Sequence, residues 1–272
     1  MARFLYLQLQ DQNQQLEEKV SERTLELERI NLDLNKSKEK AEASDNLKSA
    51  FIHIISHEIR TPLNEILGMY QILTDQGLSQ EEKEDYLAVL QTSSDRLIKT
   101  VTDYMDIAMI VSNNVEVHLK GMEVARELFD IQQHFQKVYS SKNIPIHLLI
   151  PEKFGDLTMI TDYDLFRKII SHLLDNAFEF TYKGWIDFGF TIQQESIEFF
   201  VKDTGIGIAK ENRDRLFQPF MQEDVSFARS HEGNGLGLAI VSGLVKVLGG
   251  EIRLESVPHQ GTGIYFSLPI EN

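Results

Sequence analysis

The segment Ser49–Leu63, which reads SAFIHIISHEIRTPL, constrains this chain more than any other part of the sequence. At about 100° per residue, residues 49–72 form an amphipathic helix with one apolar and one polar face. The apolar face holds Ile52, Ile55, Ile59, Leu63, Ile66 and Tyr70, and the polar face holds His53, His57, Arg60, Thr61 and Asn64. His57 is therefore predicted to point away from the core. Pro62 leaves the carbonyl of Glu58 without its i+4 donor, which predicts a bend beside the exposed imidazole.

Length and composition indicate a globular protein of one or two domains, since the chain has 272 residues, of which 42% are hydrophobic. The 42 acidic and 27 basic residues give a net charge of −15, which opposes binding to nucleic acid or to an anionic membrane. The chain has no cysteine, which excludes disulfides and thiolate metal sites and suits a reducing compartment. No apolar run reaches the roughly 18 residues of a membrane span. The short run Phe4–Leu7 is either the end of a removed transmembrane segment or a natural helix start.

Residues 1–48 contain neither Gly nor Pro and repeat apolar residues every seven positions. The a positions are Tyr6, Asn13, Val20, Leu27, Leu34 and Ala41, and the d positions are Leu9, Leu16, Arg23, Ile30, Ser37 and Ser44. This pattern predicts a parallel, dimeric coiled coil of modest stability, because several a and d positions are polar. A single solvated helix is the alternative.

Residues 49–112 are predicted to form a helical hairpin. Thr74–Gly77 breaks the first helix, and Ser79 with Glu82 forms a capping-box pattern that starts the second. The second helix carries apolar residues at helical spacing: Tyr86, Leu87, Leu90, Leu97, Ile98, Val101, Tyr104, Met105 and Ala108. Two such hairpins, one from each chain, can bury these stripes as a four-helix bundle. Met105 and Met109 are predicted to fill the core or the interface.

Residues 115–272 alternate strand and helix patterns, which predicts an α/β domain. We expect strands at 115–119, 144–150, 185–190 and 196–202, with helices at about 122–141 and 162–181. Trp185 is predicted to take part in ordinary sheet packing. The predicted fold class is therefore α plus α/β: a coiled coil, a helical hairpin and a two-layer α/β domain.

Three motifs, two of which contain glycine, follow one another in the last hundred residues. Asp203-Thr-Gly205-Ile-Gly207 comes directly after a predicted strand, and Phe217-Gln-Pro-Phe follows it. Gly233-Asn-Gly235-Leu-Gly237 then runs into an apolar helix. Such a loop presents backbone N–H groups and the positive end of a helix, which suits phosphates. It lacks the Lys-Ser/Thr of a P-loop and does not follow a strand as a dinucleotide fingerprint does.

The string from Ser56 to Leu63 resembles the phosphoacceptor motif, or H box, of sensor histidine kinases in two-component signalling. Asn176 and the three motifs above resemble, in this order, the N, G1, F and G2 boxes of the histidine-kinase ATP domain. That domain has the Bergerat-type fold, shared with gyrase and Hsp90-like proteins. The resemblance covers residues 40–270 and implies a sensor histidine kinase.

The resemblance implies a role for each matching residue. His57 would accept the phosphoryl group from Mg-ATP, and Glu58 would be the base that polarises its imidazole. Thr61 would position the water for a phosphatase reaction, although it could merely tolerate the bend at Pro62. The ATP-binding residues would be Asn176, which also binds Mg²⁺, with Asp203, Gly205, Gly207, Phe217, Gly233, Gly235, Gly237 and Thr262.

The same resemblance implies partners and a location. We expect a homodimer on the cytoplasmic side, with a response-regulator receiver domain as phosphoryl acceptor and no nucleic acid. Contact with a membrane would come only through a sensor or transmembrane region outside this chain.

Two residues depart from the family pattern, because His172 stands in place of the usual Asn and Glu179 in place of the usual Lys. Glu179 near a triphosphate would be repulsive. A kinase-weak or inactive scaffold or phosphatase is therefore the alternative function. A gyrase-like or chaperone-like ATPase is a third, which the coiled coil and the H box disfavour.

Overall fold

The computed structural model describes residues 19, 23, 30, 31, 34, 38, 55–74, 78–217 and 235–270. It divides into two compact units, Met1–Thr61 and Pro62–Asn272. The six described residues before position 55 are helical and exposed. The rest of the predicted coiled coil lies outside the described residues. None of the described helices is both long and apolar enough to cross a bilayer.

Within the described residues, the first helix of the hairpin ends and the second begins where the sequence predicts; the predicted start at residue 49 lies outside them. Helix α1 is described over residues 55–73 and ends at the predicted break. Helix α2 (Gln80–Val111) begins with the predicted capping box. Ser79 donates its backbone N–H to Glu82 Oε2 at 2.9 Å, and the N–H of Glu82 donates to Ser79 Oγ at 3.3 Å. Ser93 Oγ on α2 donates to Glu65 Oε2 on α1 at 2.9 Å and ties the two helices together.

A row of large apolar side chains on the hairpin is exposed in the single chain. Tyr70 is 63% exposed on α1, and Ile98 and Met105 are both 64% exposed on α2. The others are Leu63, Leu67, Leu87, Val101 and Met109. An uncovered apolar face of this length is typical of one half of a helical bundle. The dimeric four-helix bundle stays a prediction.

The α/β domain contains a five-stranded mixed sheet with order β2-β4-β5-β7-β6, and a second sheet of β1 and β3. Its strands are β1 (Leu119–Glu123), β2 (Ile146–Leu149), β3 (Thr158–Asp162), β4 (Ile186–Ile192), β5 (Ser196–Asp203), β6 (Glu251–Val257) and β7 (Gly261–Pro269). Its helices are α3 (Val124–Val138), α4 (Tyr163–Phe180) and α5 (Gly237–Val247). Strand β2 pairs parallel with β4, and the other pairs are antiparallel.

Aromatic side chains build the core between helix α4 and the sheet. Phe166 on α4 meets Phe199 on β5 edge-on, with ring centroids 4.9 Å apart. Phe199 stacks on Phe266 of β7 at 5.1 Å. All three side chains are fully buried. These contacts pack α4 against β5 and β7, and β5 leads directly into the predicted Asp203 motif.

Two predictions about the sheet are wrong. The strand expected at 115–119 begins only at Leu119, because its partner β3 pairs with Leu119–Glu123. The N–H of His118, just before it, donates instead to Asp162 Oδ2 at 2.6 Å. Trp185 lies just before β4 with 48% of its surface exposed, so it does not pack within the sheet. Alternation of apolar and polar residues cannot by itself show which residues will pair with a partner strand.

Candidate functional site

The predicted phosphoacceptor residues lie within one turn of helix α1. The side chain of His57 is 70% exposed, and Glu58 Oε1 lies 3.7 Å from its Nδ1 atom. This distance exceeds that of a hydrogen bond, so the two groups are close but not hydrogen-bonded. Thr61 Oγ1 donates to the backbone carbonyl of His57 at 3.3 Å. Glu58 thus reaches sideways to the imidazole, and the Thr61 hydroxyl lies beside the same turn.

Asp203, one of the predicted ATP-binding residues, ends strand β5 in a half-buried position. Its Oδ1 atom accepts hydrogen bonds from the N–H groups of Gly205 at 2.8 Å and Thr262 at 3.3 Å. Within the described parts of the chain, Oδ2 has no hydrogen-bond partner. Burial raises the pKa of this carboxyl, and the two N–H groups oppose the rise. The carboxylate is therefore fixed by one oxygen and can offer the other to a ligand.

The two glycines after Asp203 are required by the backbone around them. A Cβ atom on Gly205 would lie 2.3 Å from the carbonyl oxygen of Phe180, at the end of α4. Gly207 has φ +66°, and a Cβ there would lie 2.0 Å from the carbonyl oxygen of Val257. The loop therefore runs directly against the backbone of α4 and β6, which brings the predicted N and G1 motifs together.

Ser256 on β6 is a buried residue of the site that the sequence did not reveal. Its Oγ atom accepts from the N–H of Ile208 at 2.8 Å and lies 3.0 Å from the carbonyl oxygen of Gly261. It also lies 2.8 Å from Thr262 Oγ1. Ser256 thus joins the loop after Asp203 to the start of β7. No local motif marks it, because the loop residue that it holds, Ile208, lies 48 positions away.

Helix α4 faces the start of helix α5, which follows the last glycine motif. A Cβ on Gly237 would lie 3.7 Å from the amide atoms of Asn176 and 3.6 Å from Nδ1 of His172. Among the described residues, no side chain caps the first turn of α5, so its backbone N–H groups can bind an anion. Gly235 has φ +65° and lies just before this helix. The structure thus joins the predicted N and G2 motifs at one helix end.

Parts of the predicted site lie outside the described residues. These are Gly233, the Pro-Phe end of the F motif and the segment up to Glu232. Phe217 is described and is half-buried. Asn176 provides an amide oxygen of the kind that Mg²⁺ accepts, beside a helix end suited to phosphates. The residues present therefore fit a magnesium nucleotide.

Helix α2 contacts α4 through a row of charged groups that the sequence did not reveal. Lys99 Nζ lies 2.5 Å from Asp175 Oδ2. Asp106 Oδ1 lies 2.8 Å from Lys168 Nζ. Between these two pairs, Asp103 Oδ1 lies 3.7 Å from His172 Nε2. The spacing of three or four residues on both helices becomes informative only once the two helices are known to pack.

Glu179, the predicted repulsive residue, acts on this same group of charges. Burial alone would lower the pKa of Lys99, but Asp175, Asp103 and Glu179 raise it. The pKa of Tyr139 is raised by burial, and further by Asp175 and Glu179. Tyr139 donates its hydroxyl to Asp175 Oδ1 at 2.9 Å. The charge of Glu179 is therefore balanced in part by Lys99.

Two family models match the chain. Residues 161–272 match the family described as "Histidine kinase-, DNA gyrase B-, and HSP90-like ATPase". Residues 47–113 match the "His Kinase A (phospho-acceptor) domain". Both matches coincide with the motifs that the sequence predicts.

Two curated relatives and two solved structures are similar to the chain. The autoinducer 2 sensor kinase/phosphatase LuxQ of Vibrio parahaemolyticus is 30% identical over 88% of this chain and 28% of its own length. The signal transduction histidine-protein kinase BarA of Escherichia coli is 30% identical over 91% of this chain and 27% of its own length. The structure of full-length ShkA in complex with AMPPNP has a TM-score of 0.63 at 29% identity, covering 80% of this chain and 45% of ShkA. The Acinetobacter baumannii histidine kinase AdeS has the same TM-score of 0.63 at 19% identity, covering 79% of this chain and 98% of AdeS, and so supports the fold alone.

This chain spans less than a third of the length of those two curated relatives. A phosphoacceptor model and an ATPase model match in the order that the residues predict. The chain therefore belongs to the sensor histidine kinases of two-component signalling, a family of ATP-dependent protein-histidine kinases.

Proposed function

We propose that this chain transfers the γ-phosphoryl group of Mg-ATP to His57 and then to an aspartate of a response regulator. The observation that carries the proposal is the exposed imidazole of His57 with Glu58 Oε1 3.7 Å from its Nδ1 atom. Glu58 on the Nδ1 side leaves Nε2 as the attacking nitrogen. The lone pair of Nε2 forms a bond to the γ-phosphorus of ATP. The bond between this phosphorus and the β,γ-bridging oxygen breaks at the same time, and ADP leaves. Glu58 takes the Nδ1 proton from the phosphorylated ring.

The half-buried carboxylate of Asp203 and the first turn of α5 would bind the two ends of the nucleotide. Asp203 is fixed through Oδ1 and would accept a hydrogen bond from the adenine amino group through Oδ2. The first turn of α5 would bind the phosphates. Asn176 would hold Mg²⁺, which neutralises phosphate charge when it is bound. The ShkA complex, which contains AMPPNP, supports a nucleotide in this pocket.

Thr61 would give the chain a second, opposing activity towards the phosphorylated regulator. Its hydroxyl donates to the carbonyl of His57, and its lone pairs remain able to orient a water molecule. That water would attack the aspartyl phosphate of the partner. LuxQ is itself described as a sensor kinase/phosphatase.

A cytoplasmic homodimer is part of the same proposal. The exposed apolar face of α1 and α2 supports pairing with a second hairpin. Light scattering should give twice the 31.3 kDa chain mass at micromolar concentration. A mass of one chain would contradict the dimer.

A kinase-weak scaffold or phosphatase is the second candidate, favoured by His172 and Glu179 in place of the family residues. Partial balance of Glu179 by Lys99 weakens this candidate. It predicts nucleotide binding with little or no labelling of His57.

Incubation with γ-labelled Mg-ATP tests the proposal. Label on the wild-type chain should be acid-labile and alkali-stable, as a phosphoramidate is, and His57→Gln should abolish it while nucleotide binding remains. His118→Gln is the matched control, because His118 is also exposed, at 72%, and lies outside the motif. Label that persists in His57→Gln would contradict the phosphoacceptor assignment. ATP hydrolysis without any label would favour a gyrase-like ATPase.

A further inference from the structure

Helices α2 and α4 are joined by three charged contacts, which we call the charge ladder. Its rungs are Lys99 with Asp175, Asp103 with His172, and Asp106 with Lys168. The residue numbers rise along α2 and fall along α4, so the two helices run in opposite directions. The outer rungs are close ion pairs at 2.5 and 2.8 Å. The middle rung is longer, at 3.7 Å, and it involves an imidazole.

His172 has one ring edge towards the ladder and the other towards the nucleotide pocket. Its Nε2 atom faces Asp103 of α2, while its Nδ1 atom lies 3.6 Å from where a Cβ on Gly237 would be. Gly237 is the first residue of α5 and belongs to the predicted phosphate-binding turn. Only 11% of the His172 side chain is exposed, so the ring has little room to turn. The imidazole therefore lies between α2 and the start of α5.

Helix α2 also contacts the middle of α5. A Cβ on Gly243 would lie 2.5 Å from Ile110 Cγ2, so Ile110 fits against the bare backbone at this glycine. Helix α2 therefore contacts the middle of α5 directly through Ile110, and it reaches the start of α5 through His172. A shift of either helix would have to be accommodated by the other, because packed interiors deform little.

Burial and the neighbouring carboxylates act on the pKa of the His172 ring in opposite directions. Burial lowers the pKa of His172 and Lys99 lowers it further, while Asp103, Asp175 and Asp106 oppose the shift. A neutral ring has one donor and one acceptor nitrogen. A proton on Nε2 suits the carboxylate of Asp103, and a lone pair on Nδ1 suits the positive start of α5.

We infer that His172 is a positioning residue that couples nucleotide binding at the start of α5 to the docking of α2 on α4. The inference rests on the proposed function in one respect, which is that the phosphates bind at the start of α5. Coupling between two sites is reciprocal. A change at Asp103, whose carboxylate faces α4, should therefore alter nucleotide affinity, and bound nucleotide should tighten the contact of α2 with α4.

Calorimetric titration of the full chain with Mg-AMPPNP tests the first direction. Asp103→Asn should weaken binding about fivefold or more, the range typical of coupled sites. Asp95→Asn is the matched control, because it removes the same charge from an exposed position on the same helix. It should change affinity less than twofold. Equal affinity of wild type and Asp103→Asn would overturn the inference.

A double-mutant cycle tests whether His172 carries the coupling. His172→Asn should weaken binding, and Asp103→Asn should then add nothing further, because the connection is already broken. Additive effects of the two changes would overturn the inference. His172→Gln, whose amide can reach Asp103, should restore part of the coupling. If His172→Asn does not fold, the comparison of Asp103→Asn with Asp95→Asn still decides.

Hydrogen exchange of the backbone tests the reverse direction. Mg-AMPPNP should slow exchange in α2 around residues 99–107 in wild type, slow it less in His172→Gln, and leave it unchanged in His172→Asn. No slowing in wild type would overturn the inference. A wild-type chain that binds no nucleotide would overturn the proposed function and the inference together, whereas normal binding without coupling would overturn the inference alone.

Discussion

The phosphoacceptor turn and the nucleotide pocket are built in opposite ways. His57, Glu58 and Thr61 lie within one helical turn, and the imidazole is 70% exposed. In the pocket, Asp203 accepts from Thr262, which is 59 positions away, and Ser256 accepts from Ile208, which is 48 positions away. The first site needs only a helix, and the second needs the whole α/β domain to be folded.

This difference predicts different consequences of mutation. A change in the exposed turn should alter chemistry and leave stability nearly unchanged, because few buried contacts are lost. A change in the pocket should alter nucleotide binding and stability together, since the same buried hydrogen bonds support both. Four variants test this contrast.

Asp203→Asn should weaken Mg-AMPPNP binding by about 2–3 kcal/mol, roughly 30-fold to 150-fold. The amide can keep its oxygen towards the N–H groups of Gly205 and Thr262, but it then presents an NH₂ group to the adenine amino group. Calorimetry measures the loss. Asp130→Asn, on the exposed side of α3, is the control and should bind normally.

The pH dependence of nucleotide affinity gives a second test of Asp203. Burial raises the pKa of Asp203, and nucleotide binding needs its carboxylate form, which is present above that pKa. Affinity should therefore fall as the pH drops through the raised pKa, at a higher pH than for an ordinary aspartate. Asp203→Asn should lack this step. A step of equal size in the variant would show that another group titrates.

Thr61→Ala should reduce phosphatase activity towards the phosphorylated regulator by about tenfold or more, the cost of one well-placed hydrogen bond. Labelling of His57 and thermal stability should stay close to wild type, because the turn is exposed. Release of labelled phosphate from the regulator measures the change. Equal loss of labelling and phosphatase activity would indicate damage to the helix beside Pro62 instead.

Ser256→Ala should lower the free energy of unfolding by about 1–3 kcal/mol and also weaken nucleotide binding. The substitution leaves the N–H of Ile208 without its partner and frees the start of β7. Denaturant unfolding and calorimetry measure the two effects. Ser112→Ala, at the exposed end of α2, should do neither. A stable Ser256→Ala variant with normal affinity would contradict the view that the pocket depends on distant contacts.

Glu179→Lys should have the smallest effect. If Glu179 faced the phosphates, lysine would tighten Mg-ATP binding about tenfold, or roughly 1–2 kcal/mol. Because its charge acts on Lys99 and Tyr139, we expect affinity to change less than that and the contact of α2 with α4 to weaken by about 1 kcal/mol or less. Calorimetry with thermal unfolding separates these outcomes. A tenfold gain in affinity would place Glu179 at the phosphates.

The features that could be predicted from sequence are those with local causes. The break after α1, the capping box of Ser79 and Glu82, and the exposure of His57 all depend on residues within a few positions of one another. The glycines after Asp203 could also be recognised, because backbone that passes this close to other backbone leaves no room for a side chain. For each of these features, the residues that indicate it lie together in one short segment of the chain.

The features that sequence could not predict depend on pairing between distant segments. The first residue of β1 was decided by its register with β3, and Trp185 was left exposed by the position where β4 begins. His172 is a departure from a motif when it is read in the sequence, and only the packing of α2 against α4 places Asp103 beside it. The chemical groups, the helices and the tight turns therefore follow from the local sequence. Which of those groups meet depends on tertiary packing, because a contact between residues far apart in the chain forms only when the elements that carry them pack together.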